Sequence, residues 1–192
     1  MSLYAIVLLA AMITLALYGI VIYNSLVSVK HNVSKAWANI DVLLKQRHDE
    51  LPKLVEVCKQ YRDFEQTTLQ RVMEARSKVL GASQSQDIFA LGKAETALRG
   101  SLANLFAVAE AYPELRSNEQ FLKLQERITA LESAIADRRE FYNESVNINN
   151  VRIEQFPDLI VARALEFHPK VLLEFRASEK ADVNLKALFA TH

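Results

Sequence analysis

From Leu3 to Tyr23 the chain carries no charged side chain, and from Val33 onward apolar residues return every three or four positions. The first stretch, LYAIVLLAAMITLALYGIVIY, is apolar on every face of a helix. At about 1.5 Å per residue it reaches roughly 32 Å, the thickness of a bilayer's hydrocarbon core. Leu3 opens it, and Tyr4 and Tyr23 lie near its two ends, where amphipathic rings favour the membrane interface. Tyr18 adds a third ring. A cleaved signal peptide has a basic start and a shorter apolar core. Neither is present, so residues 1–29 are expected to be a retained transmembrane anchor.

After the anchor the pattern becomes a seven-residue repeat. One row holds Val33, Ile40, Leu54 and Tyr61; the other holds Trp37, Leu44, Leu51 and Cys58. Together they form an a/d seam of the kind that packs helices side by side. The seam keeps its register through Pro52, so one long helix over 26–80 is predicted, with a kink at that proline. Pro52 has no N–H to donate and crowds the carbonyl of His48. Residues 30–80 alone would extend on the order of 75 Å.

Gly81 predicts a helix stop, and Ser83 with Gln86 has capping-box spacing for the next helix. That helix, about 86–112, has Leu91, Leu98, Leu105 and Tyr112 in one row and Ala94, Leu102 and Ala109 in the other. Pro113 interrupts, and Ser117 with Gln120 offers a second capping box. A third helix, about 117–150, sets Phe121, Ile128, Ile135 and Tyr142 against Leu124 and Leu131, and its pattern fades near Asn147. Short connections between seamed helices predict an all-α, up-down-up antiparallel bundle of three to four helices over 30–175. A short helix follows at 157–167, then a brief apolar run after Pro169. Residues 176–192 form a tail, with weak support for a helix at 178–189.

Composition narrows the function classes. The 192 residues include only four Gly and four Pro, too few turn-formers for a many-stranded β fold. Lys plus Arg and Asp plus Glu both number 23, so no positive surplus is available for nucleic acid. Cys58 is the lone cysteine, so no intrachain disulfide staples the fold. Lys30, Lys35, Lys45 and Arg47 follow the anchor, against Asp41 alone, and no Lys or Arg precedes it. The positive-inside tendency then places residues 30–192 in the cytoplasm, with a periplasmic placement as the alternative.

The segment KQRHDELPKLVEV, residues 45–57, gathers the most titratable groups. Metal ligands on a helix need spacings of three or four. His48 has Leu44, Leu51 and Pro52 there, and none of these is a ligand. Asp49 and Glu50 point elsewhere around the axis. An internal HDEL string is not a retention signal. No Gly-rich nucleotide loop or GxSxG is present, so catalysis, a metal and a cofactor are not expected. Arg47 is more informative, because it falls on the seam between Ile40 and Leu54. Arg138 does the same on the third helix, between Leu131 and Ser145. A seam charge is costly unless paired. Each arginine pairs with a bundle carboxylate such as Glu95 or Glu132, or marks where another chain docks, or packs its stem while its head reaches water. Trp37, Leu51 and Tyr142 read as core. The amide-rich YNESVNINN, 142–150, reads either as a fraying helix or as a polar contact between subunits.

Several stretches in one order resemble the LemA family. They are YNSLV (23–27), AWANIDVLLKQRHDELPKLVE (36–56), AYPELRSNEQFLKLQERI (111–128), RREFYNESV (138–146), IEQFP (153–157) and EFHPKVLLEF (166–175). The tail beyond 175 fits no motif of that family. The resemblance implies a bacterial, single-pass, membrane-attached antiparallel helical bundle. Some family members are linked to shaping intracellular membranes, others to surface-presented antigens, and no catalytic residues carry over. The expectation is a scaffold in the bacterial inner membrane. Its partners would be the lipid bilayer, further copies of itself and other membrane proteins; an adaptor docked on a membrane enzyme such as a protease is the alternative.

Overall fold

The computed structural model describes residues 3–61 and 64–174. Among them the regular structure is helical: α1 (Leu3–Lys59), α2 (Gln66–Gln84), α3 (Ile88–Ala109), α4 (Pro113–Arg116), α5 (Glu119–Glu154) and α6 (Asp158–Ala164). The described residues of 3–40 and 137–172 form one compact unit, and those of 41–136 and 173–174 form a second. The body expected over 30–175 is therefore divided, with α1 and α5 each contributing to both parts. The expected tail, 176–192, and its helix lie outside the described residues.

In the second unit, α1 does not run on to residue 80. It stops at Lys59, and α2 turns back along it: Arg76 reaches His48, and Ser83 Oγ donates to Asp41 Oδ1 at 2.7 Å. The next residues on the two seam rows are Glu65 and Thr68, so the apolar repeat lapses where the chain turns. Reversal lets Leu69, Val72, Ala75 and Val79 bury against neighbouring helices rather than face water. Phe64 is buried in the bend, its ring 5.2 Å from that of Tyr112. The Thr68 hydroxyl donates to the Glu65 carboxylate at 3.0 Å at the new helix start. The three-helix path becomes up-down-up-down, with α1, α2, α3 and α5 as the long members.

The two predicted capping boxes are each displaced by one residue or more. Helix α2 continues past Gly81 to Gln84, and Gln86 adopts a left-handed φ of 54°. Asp87 caps α3 by accepting from Ala90 N at 2.9 Å. Asn118 caps α5 by accepting from Phe121 N at 3.0 Å, while Ser117 donates to Glu114 O. At each boundary a short Asp or Asn side chain reaches the amide three residues on directly.

In the first unit, α5 lies antiparallel to α1, with Trp37 edge-on to Tyr142 at 5.8 Å. The amide-rich segment does not fray, since α5 persists to Glu154. Its asparagines serve the chain's own return. Asn150 Nδ2 donates to Lys170 O at 2.9 Å and Asn150 Oδ1 accepts from Lys170 N at 2.8 Å, so one side chain completes a peptide's hydrogen bonds. Tyr142 Oη donates to Val171 O at 3.0 Å beside it. Ile22, Leu26, Ile153 and Ala162 make a small core at the start of this unit.

In the second unit the returning chain meets α3 at Gly92. A Cβ there would lie 2.2 Å from Glu174 O, next to Leu173, which is buried. Gly92 is therefore set by close backbone approach rather than by helix propensity. Gly92→Ala is expected to displace residues 173–174 and lower stability by about 1–3 kcal/mol despite alanine's better helix propensity. Urea unfolding, with limited proteolysis after residue 170, checks this; an unchanged or raised midpoint would contradict it.

Candidate functional site

Among the described residues Arg47, 1% exposed, is one of the two most buried charges. Its seam position forces the long side chain between helices, and the core there is polar by design of three elements. Nη2 bonds Glu95 of α3, also 1% exposed, and Nη1 bonds Glu132 of α5. Arg99 Nε, on α3, donates to the second Glu132 oxygen at 3.2 Å. Two guanidinium groups thus face two carboxylates, and the set is neutral. Burial is the largest influence on Arg47 and opposes its charge, yet the two carboxylates outweigh it and its pKa stands above the ordinary value. Burial likewise pushes the Glu95 carboxyl up, and Arg47 only partly offsets this. Among the described residues, Arg47 Nε and Glu95 Oε2 have no hydrogen-bond partner. The arrangement holds α1, α3 and α5 in one register, which is the best-attested use of a buried polar group.

Arg138 differs from the seam expectation: it is exposed. The buried line passes instead through Ile135, Tyr142, Ser145, Val146 and Asn149. Leu131 and Ser145, one heptad to either side on the same row, are buried, so the departure is local to residue 138, whose long side chain carries its charge to water. Trp37 is half-buried and Tyr142 buried, while Leu51 is fully buried.

The KQRHDELPKLVEV segment resolves one turn beyond Arg47. Helix α1 stays helical through Pro52. Proline offers no N–H to the carbonyl four residues back, so His48 O loses its helical partner. Arg76 of α2 supplies the missing donor: its Nε reaches His48 O at 2.8 Å, and its Nη2 lies 2.6 Å from His48 Nε2. Arg76 was not singled out by the seam, because nothing local links it to residue 48. Burial, then the Arg76 charge, lowers the His48 pKa below its ordinary 6.5, so the ring is a neutral acceptor here. Cys58, a seam residue, is buried, and burial pushes its thiol up to about 12. Among the described residues no three His, Cys, Asp or Glu side chains gather where they could hold a metal ion.

At the other end of α1, the side chains of Leu3, Tyr4, Tyr18 and Tyr23 are exposed. From Leu3 to Val21 only Gly19 is even partly covered. This part of α1 is long and apolar enough to cross a membrane.

The chain is thus an all-helical bundle whose N-terminal helix has the length and composition of a membrane span. The LemA family model matches residues 36–186, most of the chain, and the protein belongs to the LemA family. The match begins after the apolar stretch and runs past residue 175, so part of the tail belongs to the family's domain. The chain is 24% identical to Protein LemA of Metamycoplasma hominis, over 86% of this chain and 74% of that one. It is 22% identical to Magnetosome protein MamQ 2 of Paramagnetospirillum magneticum and 23% identical to Magnetosome protein MamQ of Magnetospirillum gryphiswaldense. Those two alignments take in 70% of this chain but 58% of each relative, so the chain spans little more than half their length.

Arg47→Ala leaves Glu95 buried without its main partner and is expected to destabilise by about 3–5 kcal/mol, whereas an all-apolar replacement of Arg47, Glu95 and Glu132 recovers most of that loss. Denaturant midpoints of the single and triple variants decide it. For Arg76 the informative measurement is a double-mutant cycle. Arg76→Ala should cost less in a Pro52→Ala background, where an amide again serves His48 O, with a coupling of about 0.5–3 kcal/mol. Acid should also weaken the Arg76 contact. The folded pKa of His48 lies below the unfolded value, so its contribution is complete above 6.5 and is lost as pH falls through the folded value. The thermal midpoint should therefore drop more steeply between pH 7 and pH 5 in the native protein than in His48→Gln.

Proposed function

We propose that this protein is a membrane-anchored scaffold, without enzymatic activity of its own, that self-assembles into a homo-oligomeric array on the bacterial inner membrane and organises membrane or neighbouring proteins. The observation that supports the reading is the continuity of α1. Within the unit of 3–40 and 137–172, one helix without a break carries the exposed apolar stretch and then the buried positions Leu26, Val33, Ala36 and Ile40. Between the apolar stretch and those positions the helix is unbroken, so each copy in a bilayer carries its helical unit directly on the anchor. Confinement to a surface raises the effective concentration of like faces and favours lateral association without strong single contacts. The magnetosome proteins among the relatives are in keeping with a role at a membrane. The charge asymmetry after the anchor favours residues 30–192 on the cytoplasmic side.

The second reading, an adaptor docked on a membrane enzyme, is favoured by the exposed apolar side chains of Phe89 and Leu122 on the bundle. Cross-linking in native membranes separates the two. A ladder of self-adducts, matched by multimers in native mass spectrometry from detergent, is the expected result. Monomers alone at membrane-like density would remove the array. One dominant foreign adduct would replace it with the adaptor. Leu15→Arg, at mid-span, should move the protein out of the membrane fraction, since a central arginine costs about 2.5–3.5 kcal/mol on insertion scales.

A further inference from the structure

The C-terminal end of the apolar stretch is not bare. Within the unit of 3–40 and 137–172, Arg152 Nη2 donates to Ser25 Oγ at 2.8 Å, and its Nε lies 2.6 Å from Asp158. Ile22 and Leu26 pack with Ile153 and Ala162, and Phe167 meets Tyr23 edge-on at 6.2 Å. These contacts set α6 and the chain after it level with residues 22–26, where the uncharged stretch gives way to polar sequence. The inner side of α6 presents Asp158 and Ala162 to that small core. Its other side leaves Ile160 61% exposed, and Phe156 and Leu165 beside it are 76% and 53% exposed. Large apolar side chains grouped in this way are unfavourable in water. On the anchor reading, this level faces the bilayer interface rather than bulk water.

The charges fit the same level. Lys30 is about one turn, roughly 6 Å, beyond Leu26 along the helix axis. That is close to the depth of one headgroup layer, about 5–7 Å. Its Nζ lies 5.8 Å from the centre of the Phe167 ring. Lys30, His168 and Lys170 line, with Glu166, a cleft of about 100 Å³. Arg163 is exposed on α6, one turn from Ile160. Apolar side chains with long basic ones at their edge are the composition of a segment lying in a membrane interface.

We propose that α6, with Phe156 and Leu165, is a second membrane-contact element that lies in the bilayer interface beside the anchor. Its apolar side chains enter the upper acyl chains, and Lys30, Arg163 and Lys170 meet anionic headgroup phosphates. Contact at two places fixes the tilt and rotation of the helix that leaves the membrane, which a single span cannot do. The inference rests on the anchor reading above and adds a contact that the span does not provide.

The full-length chain in a Cys58→Ala background, carrying one cysteine labelled with an environment-sensitive fluorophore, tests this in phosphatidylcholine–phosphatidylglycerol vesicles. Labels at Phe156→Cys and Ile160→Cys should lose fluorescence to lipids spin-labelled near the top of the acyl chain. A label at Lys35→Cys, farther along α1, should lose it only to aqueous iodide. A label at Leu15→Cys should lose it to lipids spin-labelled deep in the chain. If Leu15→Cys responds while both α6 labels respond only to iodide, the interface contact is overturned and the anchor stands. If the α6 labels respond to neither quencher, protein covers that face, as in a dimer of this chain, and the contact is again overturned. If Leu15→Cys itself fails to respond to lipid, the anchor reading falls and this inference with it.

Discussion

A guanidinium group inside an apolar seam has to be met by carboxylates, and at Arg47 two helices bring them. This one requirement organises the second unit. Helix α3 must place Glu95 at the buried level of α1, and α5 must place Glu132 there from the opposite direction. A slip of one helical turn in either would leave a charge buried alone, a larger penalty than any single apolar contact in the bundle repays. Apolar seams of leucine and isoleucine tolerate such slips, because one aliphatic side chain resembles the next. The ion-pair network does not, so it supplies the register that the seam alone lacks.

The proline one turn away follows the same logic in the backbone. Pro52 takes a donor out of α1, and Arg76 from α2 restores it at His48. A position that weakens α1 as an isolated helix thereby ties α2 to it. Three helices are fixed to α1 by side-chain contacts that cannot be exchanged for neighbours in the sequence: α3 and α5 at Arg47, and α2 at His48. In the other unit the apolar stretch runs unbroken into the packed positions Leu26, Val33 and Ile40 of the same helix, and that continuity is the basis of the scaffold reading. Within KQRHDELPKLVEV the His48 ring is engaged by the Arg76 cation, and the Cys58 thiol that follows the segment is buried.

Much of this was legible in advance where a signal is local or periodic. The apolar stretch over 3–23, the seam through Ile40, Leu44 and Leu51, and the unusual charge at Arg47 all come from residue type and spacing. The reversal after Lys59 was visible only as Glu65 and Thr68 on the seam rows, a weak lapse with no Gly or Pro to mark it. Arg138 shows the converse: it has seam spacing, with buried Leu131 and Ser145 one heptad to either side, and yet stands in solvent, because a long basic side chain can carry its charge out of the seam. Asn149 and Asn150 have the composition of a fraying end, but the returning chain at Lys170 gives Asn150 a peptide to bond, and the helix holds.

What the amino-acid sequence determined by itself was helical class, the apolar N-terminal stretch and the presence of a charge that demands partners. Each depends on side chains within a few turns of one another, whose spacing is set by the helix repeat. Only the tertiary structure decided which carboxylates meet Arg47, that Arg76 replaces the amide Pro52 lacks, that Glu174 crosses Gly92, and that α6 sits at the end of the apolar stretch. Those are contacts between residues tens of positions apart. Their geometry depends on where α1 ends and how the chain turns back, which no local periodicity encodes.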